Sequence, residues 1–354
     1  MVNAKVLVTA VGGIVAQGII KSLKLANKSD NGQVNYKIVG ADMNAQAAGL
    51  YRCDKGVLLP PAASNRYIDS LLKITKQEQT DAIFVGSDEE IPIIGNSRKR
   101  IESETNTKVL ISPKEVLDIA RDKWKTYLFL KENNLDVAAS ALPENVEGFA
   151  REFGYPIVVK PREGYGSKNF HVVRSNSETH QALSNIQRAG WHAMLQEFID
   201  ENHAEYTSGI TIDRHGEYVM SSISIQKTLK GGQTYKALID DYEDVRKPSE
   251  EVGLRLGGIG AINIQAKLVG RRLKIFEINP RFSATCPMRS VAGVNEPDIV
   301  YRNTVLGEEI KSEEYKRLVC MRYWNEVYIT FPTYEELLRS GAVGPNDSLI
   351  PDYF

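Results

Sequence analysis

Phe276-Glu277-Ile278-Asn279-Pro280-Arg281 puts two metal-type oxygen ligands and a cation at the end of one predicted strand. Along Lys274-Ile275-Phe276-Glu277-Ile278-Asn279 the side chains alternate, so Glu277 and Asn279 share a face. Pro280 has no N–H to give a ladder and ends the strand. The preceding run, Gly260-Ala261-Ile262-Asn263-Ile264-Gln265, brings a third oxygen, that of Gln265, beside them if the two runs pair as a hairpin. Hard oxygens of this kind, few in number, suit Mg²⁺ held partly by substrate phosphates. Arg281 is placed to reach a phosphate oxygen in a bidentate way. The plain alternative is an edge strand with a solvated glutamate.

Further back, Pro156-Ile157-Val158-Val159-Lys160-Pro161-Arg162-Glu163-Gly164-Tyr165-Gly166-Ser167 ends a buried strand in a lysine and follows it with a Gly-containing loop. Lys160 can act as a point charge on a nucleotide phosphate. Gly164 and Gly166 let the backbone close over phosphates and present N–H donors. This is not the GxxxxGK[ST] P-loop, because the lysine precedes the glycines and no helix opens at the loop. A hairpin turn with an exposed lysine is the alternative. Next comes Met194-Leu195-Gln196-Glu197-Phe198-Ile199, then Glu205-Tyr206-Thr207-Ser208-Gly209. Backbone groups at an interlobe hinge can read an adenine edge, with Phe198 and Ile199 as apolar walls. Glu205 is placed to accept from ribose hydroxyls; an ordinary amphipathic strand is the competing reading.

The N-terminal third alternates strand and helix. Lys5–Ala10, Tyr36–Asp42 and Ala82–Val85 read as short buried strands, and Val15 to Leu25 has helical spacing, which argues a parallel sheet in an α/β layer. Gly12, Gly13 and Gly18 do not follow G-x-G-x-x-G, although Asp42 ends the second strand as in dinucleotide folds, so a nicotinamide or flavin enzyme stays a minor alternative. Ser112-Pro113-Lys114-Glu115 carries a capping-box signature and marks the first boundary. From Val137 to Ile199 short strands predict a small α+β lobe. Strand runs at Tyr206–Ile212, Tyr218–Ile225 and Ala261–Lys267, with a helix around Ser249–Leu256, make up a second lobe. Gly341–Phe354, rich in Gly, Pro and Asp, reads as an irregular cap.

With 354 residues the chain has room for two or three compact units. A net charge of −1 with 25% charged residues offers no basic surface for a nucleic acid or a membrane. Cys53, Cys286 and Cys320 are far apart and odd in number, which fits a reducing cytosol. The start runs directly into a strand without a signal-peptide core, and no apolar run reaches the ~20 residues of a membrane span. A cytoplasmic protein is expected.

The order of these blocks, Lys-Gly loop, hinge acid, then Gln…Glu-x-Asn-x-Arg, resembles the ATP-grasp superfamily, and within it the carbamoyl-phosphate-synthase-like carboxylate–amine ligases. The resemblance covers nearly the whole chain. It implies an α/β protein of the ATP-grasp fold, with an N-terminal Rossmann-like (pre-ATP-grasp) domain at 1–112. Two α+β lobes at 113–199 and 200–330 would sandwich ATP, and 331–354 would form a tail. It implies that Lys123 and Lys160 contact phosphates and that Gly164, Gly166 and Ser167 form a flexible lid. Glu197 and Ile199 would read adenine largely through their backbones, beside Gln196 and Phe198, with Glu205 as ribose acceptor. Gln265, Glu277 and Asn279 match the metal positions, and Arg281 the phosphate-stabilising arginine. ATP and Mg²⁺, with Mn²⁺ as an alternative ion, are the implied cofactors. Small-molecule carboxylate and amine substrates are implied, and a homodimer is compatible.

There are departures from the family pattern. The hinge begins with Gln196 where an acid is frequent, which bears on how the adenine amine is held. Gln265 makes the metal site less negative, and neither a glutaminase segment nor a second ATP-grasp unit is present in the sequence. An ATP-binding protein without turnover, and a kinase or ligase acting on bicarbonate or carbamate, are the competing functions.

Other polar residues have two readings each. In Gly86-Ser87-Asp88-Glu89-Glu90 the acids either bind an amine substrate or cap the following helix, and the cap is the preferred reading. Arg289, followed by Asn295, either holds a substrate carboxylate or forms a surface ion pair. Lys227 and Lys236, flanking Gly231-Gly232, suggest another mobile loop over the site. The histidines at 171, 180, 192, 203 and 215 show no metal spacing, and Cys286 has no histidine partner, so a packing role is expected.

Overall fold

The computed structural model describes residues 2–29, 32–164, 168–312, 314–323, 325–346 and 348–352. Its first sheet holds β1 (Val2–Val8), β2 (Val34–Asp42), β3 (Lys55–Leu58), β4 (Ala82–Phe84) and β5 (Lys108–Val109). They lie in the spatial order β3-β2-β1-β4-β5, all parallel. β1 reads VNAKVLV and buries both faces toward its end, as expected of a central parallel strand covered by helices. The order reverses beside β1, so loops after β1 and β4 flank one crevice at the carboxyl edge of the sheet. Gly86, after β4, makes that crevice tight: a Cβ there would stand 2.1 Å from the Thr9 carbonyl oxygen.

A small antiparallel sheet follows, with β6 (Ser140–Ala141), β7 (Ile157–Pro161), β8 (His171–Val173) and β9 (Ala193–Glu197) in the order β6-β9-β7-β8. The large lobe is an antiparallel sheet of β10 (Glu205–Ile212), β11 (Val219–Lys230), β12 (Gln233–Ile239), β13 (Gly260–Val269), β14 (Arg272–Asn279) and β15 (Leu318–Met321). Its order is β14-β13-β10-β11-β12-β15. The helix Glu243–Arg255 covers one face and begins earlier than the spacing predicts, despite Pro248. β12 and the edge strand β15 are not legible in advance, because both are largely solvent-facing and lack a clear apolar alternation.

Two expectations are corrected here. Ser112 does not cap the helix Lys114–Ala120; its hydroxyl donates to the Ile259 carbonyl at 2.8 Å, joining the linker to the large lobe. The tail is not wholly irregular: the helix Phe331–Ser340 precedes β16 (Ala342–Val343), which pairs antiparallel with β3. The first and third lobes share one continuous apolar core, which includes Ile19 and Tyr36 together with Phe282, Cys286 and Tyr301. Polar contacts reinforce it: Asn295 Nδ2 donates to the Ser22 carbonyl at 2.8 Å, and the Tyr36 hydroxyl donates to Asp298 at 2.8 Å. The loops at the end of the parallel sheet are thereby held against the end of β14.

Candidate active site

The hairpin forms as the alternation predicts. β13 and β14 pair antiparallel with Gln265 opposite Glu277 and Asn263 opposite Asn279. Asn279 Nδ2 donates to Glu277 Oε1 at 3.1 Å, so the two side chains share a face. Arg281 follows immediately, but its guanidinium is not free. Nε and Nη2 donate to Asp88 at 2.6 and 2.7 Å, Nη1 to the Phe282 carbonyl, and Nη2 also to Asn279 Oδ1 at 3.1 Å. In this structure the guanidinium is thus gripped by a carboxylate from the loop after β4. That contact corrects the reading of the 86–90 loop. The helix Ile91–Thr105 has no side-chain cap; Asp88 reaches Arg281 instead. Glu90 turns inward to accept from Thr9 Oγ1 and the Tyr67 hydroxyl, both at 2.6 Å. Burial raises its carboxyl to about 6 against those two hydrogen bonds.

Lys160 is the penultimate residue of β7 and is buried, which removes the exposed-hairpin reading. Its ammonium donates to Gln196 Oε1 at 2.7 Å and to the Phe276 carbonyl at 3.4 Å, so the small lobe meets β14 through it. Burial, and after it the charge of Lys123, lower its pKa to about 7 against the pull of Glu277. Lys123 donates to the Gly164 carbonyl at 2.9 Å. Asp122 caps the helix Lys123–Glu132 and pairs with Arg162; burial opposes ionisation, but those bonds keep its carboxyl below the usual range. Gly166 and Ser167 lie outside the described residues.

At the hinge, Gln196 faces inward: its amide donates to Ser140 while its oxygen holds Lys160. In this structure it supports Lys160. Glu197 accepts from the Ala139 amide at 2.7 Å and from Lys274 at 2.8 Å, joining the lobes. Phe198 and Ile199 are half-buried, and Lys267 donates to the Ile199 carbonyl at 2.8 Å. Glu205 opens β10 with its carboxylate 2.9 Å from the ammonium of Lys227. Lys227 lies within β11, with its side chain 6% exposed, and Lys236 within β12, so neither stands on a loop over the site.

Arg289 belongs to neither of its two readings. It is 0% exposed, pairs with Glu296 at 2.9 Å, and donates to Thr207 and to Asn263 Oδ1 at 2.9 Å. Gly209 is what admits it, since a Cβ there would stand 2.0 Å from Arg289 Nη1. Cys286 donates its thiol to Glu296, and burial together with that carboxylate raises its pKa well above the ordinary value. It is a packing residue, as expected.

Among the described residues no group of three or more His, Cys, Asp or Glu could hold a metal ion. Glu277 and Asn279 nonetheless supply two hard oxygens on one face, a carboxylate and an amide Oδ1 that also accepts from Arg281 Nη2 at 3.1 Å, which fits an ion completed by oxygens from another molecule. Gln265 does not fit so simply: its Oε1 accepts from Lys227 at 2.5 Å. A cavity of about 390 Å³ between Tyr51 and Phe331 lies elsewhere, and its lining carries no ionisable group besides Tyr51 and Tyr334.

An antiparallel sheet presenting an acid–amide pair and a following arginine, faced by a small lobe with a strand-end lysine, defines a nucleotide-clasping architecture. Residues 120–285 match the family described as the ATP-grasp domain, and residues 6–110 match the PylC-like N-terminal domain. The chain carries an ATP-grasp domain preceded by a PylC-like N-terminal domain. It is 24% identical over 287 residues to the carbamoyl phosphate synthase large chain of Helicobacter pylori, covering 74% of this chain and 25% of that one. Against the arginine-specific large chain of Geobacillus stearothermophilus it is 25% identical over 301 residues, covering 78% and 27%. The chain thus spans about a quarter of the length of the curated relatives it matches. Among solved structures, biotin carboxylase from Campylobacter jejuni superposes with a TM-score of 0.68 at 17% identity, covering 87% of this chain and 72% of that one. N5-carboxyaminoimidazole ribonucleotide synthetase from Thermotoga maritima gives 0.62 at 18%, covering 88% and 78%. At these identities the likeness is one of fold.

Proposed function

We propose that this chain is an ATP- and Mg²⁺-dependent ligase that joins a carboxylate to an amine and releases ADP and phosphate. The observation that carries the reading is a chain of contacts inside the ATP-grasp match: Lys160 donates to the Phe276 carbonyl beside Glu277, Asn279 donates to Glu277, and Arg281 donates to Asn279. In this reading ATP lies between the small and large lobes, with Phe198 and Ile199 against the adenine and Glu205 accepting from the ribose. Lys123, held at the Gly164 carbonyl, and Lys160 contact the phosphates. Glu277 and Asn279 would hold Mg²⁺, for which Mn²⁺ is expected to substitute, and the ion would offset phosphate charge.

The substrate carboxylate attacks the γ-phosphorus, the bond to ADP breaks, and an acylphosphate forms. The amine nitrogen then attacks the acyl carbon, phosphate leaves with the C–O bond pair, and the amine loses a proton to solvent. The side chains position and stabilise charge, and no side-chain nucleophile is needed. Bicarbonate as the carboxylate is a second reading, supported by the names of the relatives and by a biotin carboxylase domain dimer of Hydrogenobacter thermophilus solved with MgADP and bicarbonate. The same steps then give carboxyphosphate and a carbamate. A homodimer and a reducing cytoplasmic setting are proposed as well; the three cysteines are free, and no described helix is long and apolar enough to cross a membrane.

The test is ADP release from Mg-ATP against a panel of amino acids, other carboxylates and bicarbonate, each with and without amines. Release that requires one acid and rises with one amine supports the ligase. Nucleotide binding with no release across the panel would favour a non-catalytic ATP-binding protein.

A further inference from the structure

The sheet that carries the metal-type oxygens also carries a cation in their midst. Across it, Lys227 of β11 stands opposite Glu205 of β10, Thr207 of β10 opposite Gln265 of β13, and Gln265 opposite Glu277 of β14. The Lys227 ammonium lies 2.9 Å from Glu205 and 2.5 Å from Gln265 Oε1, with its side chain 6% exposed. We propose that Lys227 stands in for a divalent cation at Gln265, so that a nucleotide bound here is accompanied by a single divalent ion, on Glu277 and Asn279. This inference rests on the nucleotide-binding reading above.

The argument is electrostatic and geometric. A Mg²⁺ ion on Gln265 Oε1, at about 2.0–2.1 Å, would lie no farther than about 4.6 Å from the Lys227 nitrogen. At that range a monovalent and a divalent cation repel strongly in a partly desolvated cleft. The amide between them has no net charge to offset either, and Glu277, the carboxylate opposite Gln265, is the one that carries the ion held with Asn279. Glu205, the carboxylate paired with Lys227, already balances the ammonium. The amide oxygen therefore belongs to Lys227, and Gln265 positions that lysine rather than a metal. A lysine tied at both ends is also held in place before any ligand arrives. Two of its three N–H groups meet Glu205 and Gln265, leaving one to donate to a nucleotide oxygen. Where a two-metal site would set ions about 3.5–4 Å apart, this site would pair one ion with one ammonium.

The discriminating experiment is electron paramagnetic resonance of Mn²⁺ bound to the full chain with β,γ-imido ATP, nucleotide binding being checked separately by calorimetry. For the wild type we expect a single Mn²⁺ per bound nucleotide and no spin-coupled pair signal. Lys227→Met, which removes the charge but keeps the length, should admit a second Mn²⁺ and bring up the coupled signal. A coupled pair in the wild type overturns the inference, and so does a Lys227→Met complex that still holds a single ion. If that variant does not fold, the wild-type spectrum decides alone. Failure of the wild type to bind nucleotide at all would overturn the ATP reading itself, and this inference with it.

Discussion

Asp88 grips Arg281 through both carboxylate oxygens, although 193 residues separate them in the chain. One comes from the loop after β4 of the parallel sheet and the other follows β14 of the large lobe, so the pair joins the N-terminal domain to the candidate phosphate site. The two side chains are only 12% and 22% exposed, Arg281 and Asp88 respectively, which places the contact well out of bulk water.

Replacing Asp88 with Asn should therefore act on both stability and chemistry. A partly buried guanidinium would lose its counter-charge, at a cost of about 2–3 kcal/mol. Turnover should fall by about 10–100-fold as Arg281 loses its set orientation, with a smaller change in nucleotide affinity. Thermal denaturation and steady-state ADP release measure the two effects; an unchanged melting temperature and rate would show that the pair contributes little.

Glu277→Ala should abolish Mg²⁺-dependent ADP release while leaving the fold intact. The half-buried side chain accepts one hydrogen bond, from Asn279, whose loss is worth about 1 kcal/mol. Circular dichroism and a melting curve should stay near wild type, with turnover down by at least about 10²-fold. Retained activity would remove Glu277 from the proposed metal position.

Nucleotide binding should draw a proton onto Lys160 near pH 8. Its folded pKa, lowered by burial and by Lys123 to about 7, leaves it mostly neutral there, and a phosphate beside it would restore the charge. Calorimetry in two buffers of different ionisation enthalpy should report uptake approaching about one proton, absent in Lys160→Met. The stability sign follows from the same shift. Between pH 7 and 10.5 the unfolded chain binds more protons at this site, so its contribution to stability rises with pH through that window and is lost as pH falls toward 7. A wild-type uptake equal to that of the variant would count against Lys160 as a phosphate contact.

Arg289→Met should cost about 3–5 kcal/mol, because Glu296 would be left charged in the core. The double variant Arg289→Met with Glu296→Leu should recover part of that loss, since the isolated charge goes with it. Denaturant midpoints of the single and double variants measure the coupling. Equal loss in both would mean that shape, rather than charge, governs the site.

Much of this protein is determined by local pattern alone. The two-residue period along Lys274–Asn279 places Glu277 beside Asn279 wherever the strand lies, and Pro280 ends it by its missing N–H. The buried run before Lys160 and the strand–helix alternation of the first hundred residues are legible for the same reason: spacing and side-chain type suffice. What the chain does with its charges was decided only by tertiary packing. Asp88 looks like a helix cap until the lobes bring Arg281 against it, and nothing near Gln265 in sequence announces that Lys227 of β11 donates to its oxygen. Arg289, polar and near the site in sequence, is wholly buried because Gly209 leaves room for it and Glu296 neutralises it. Coulombic and hydrogen-bond partners are chosen by distance in space, and in these three cases the partner arrives from a different element, whose approach no local spacing encodes.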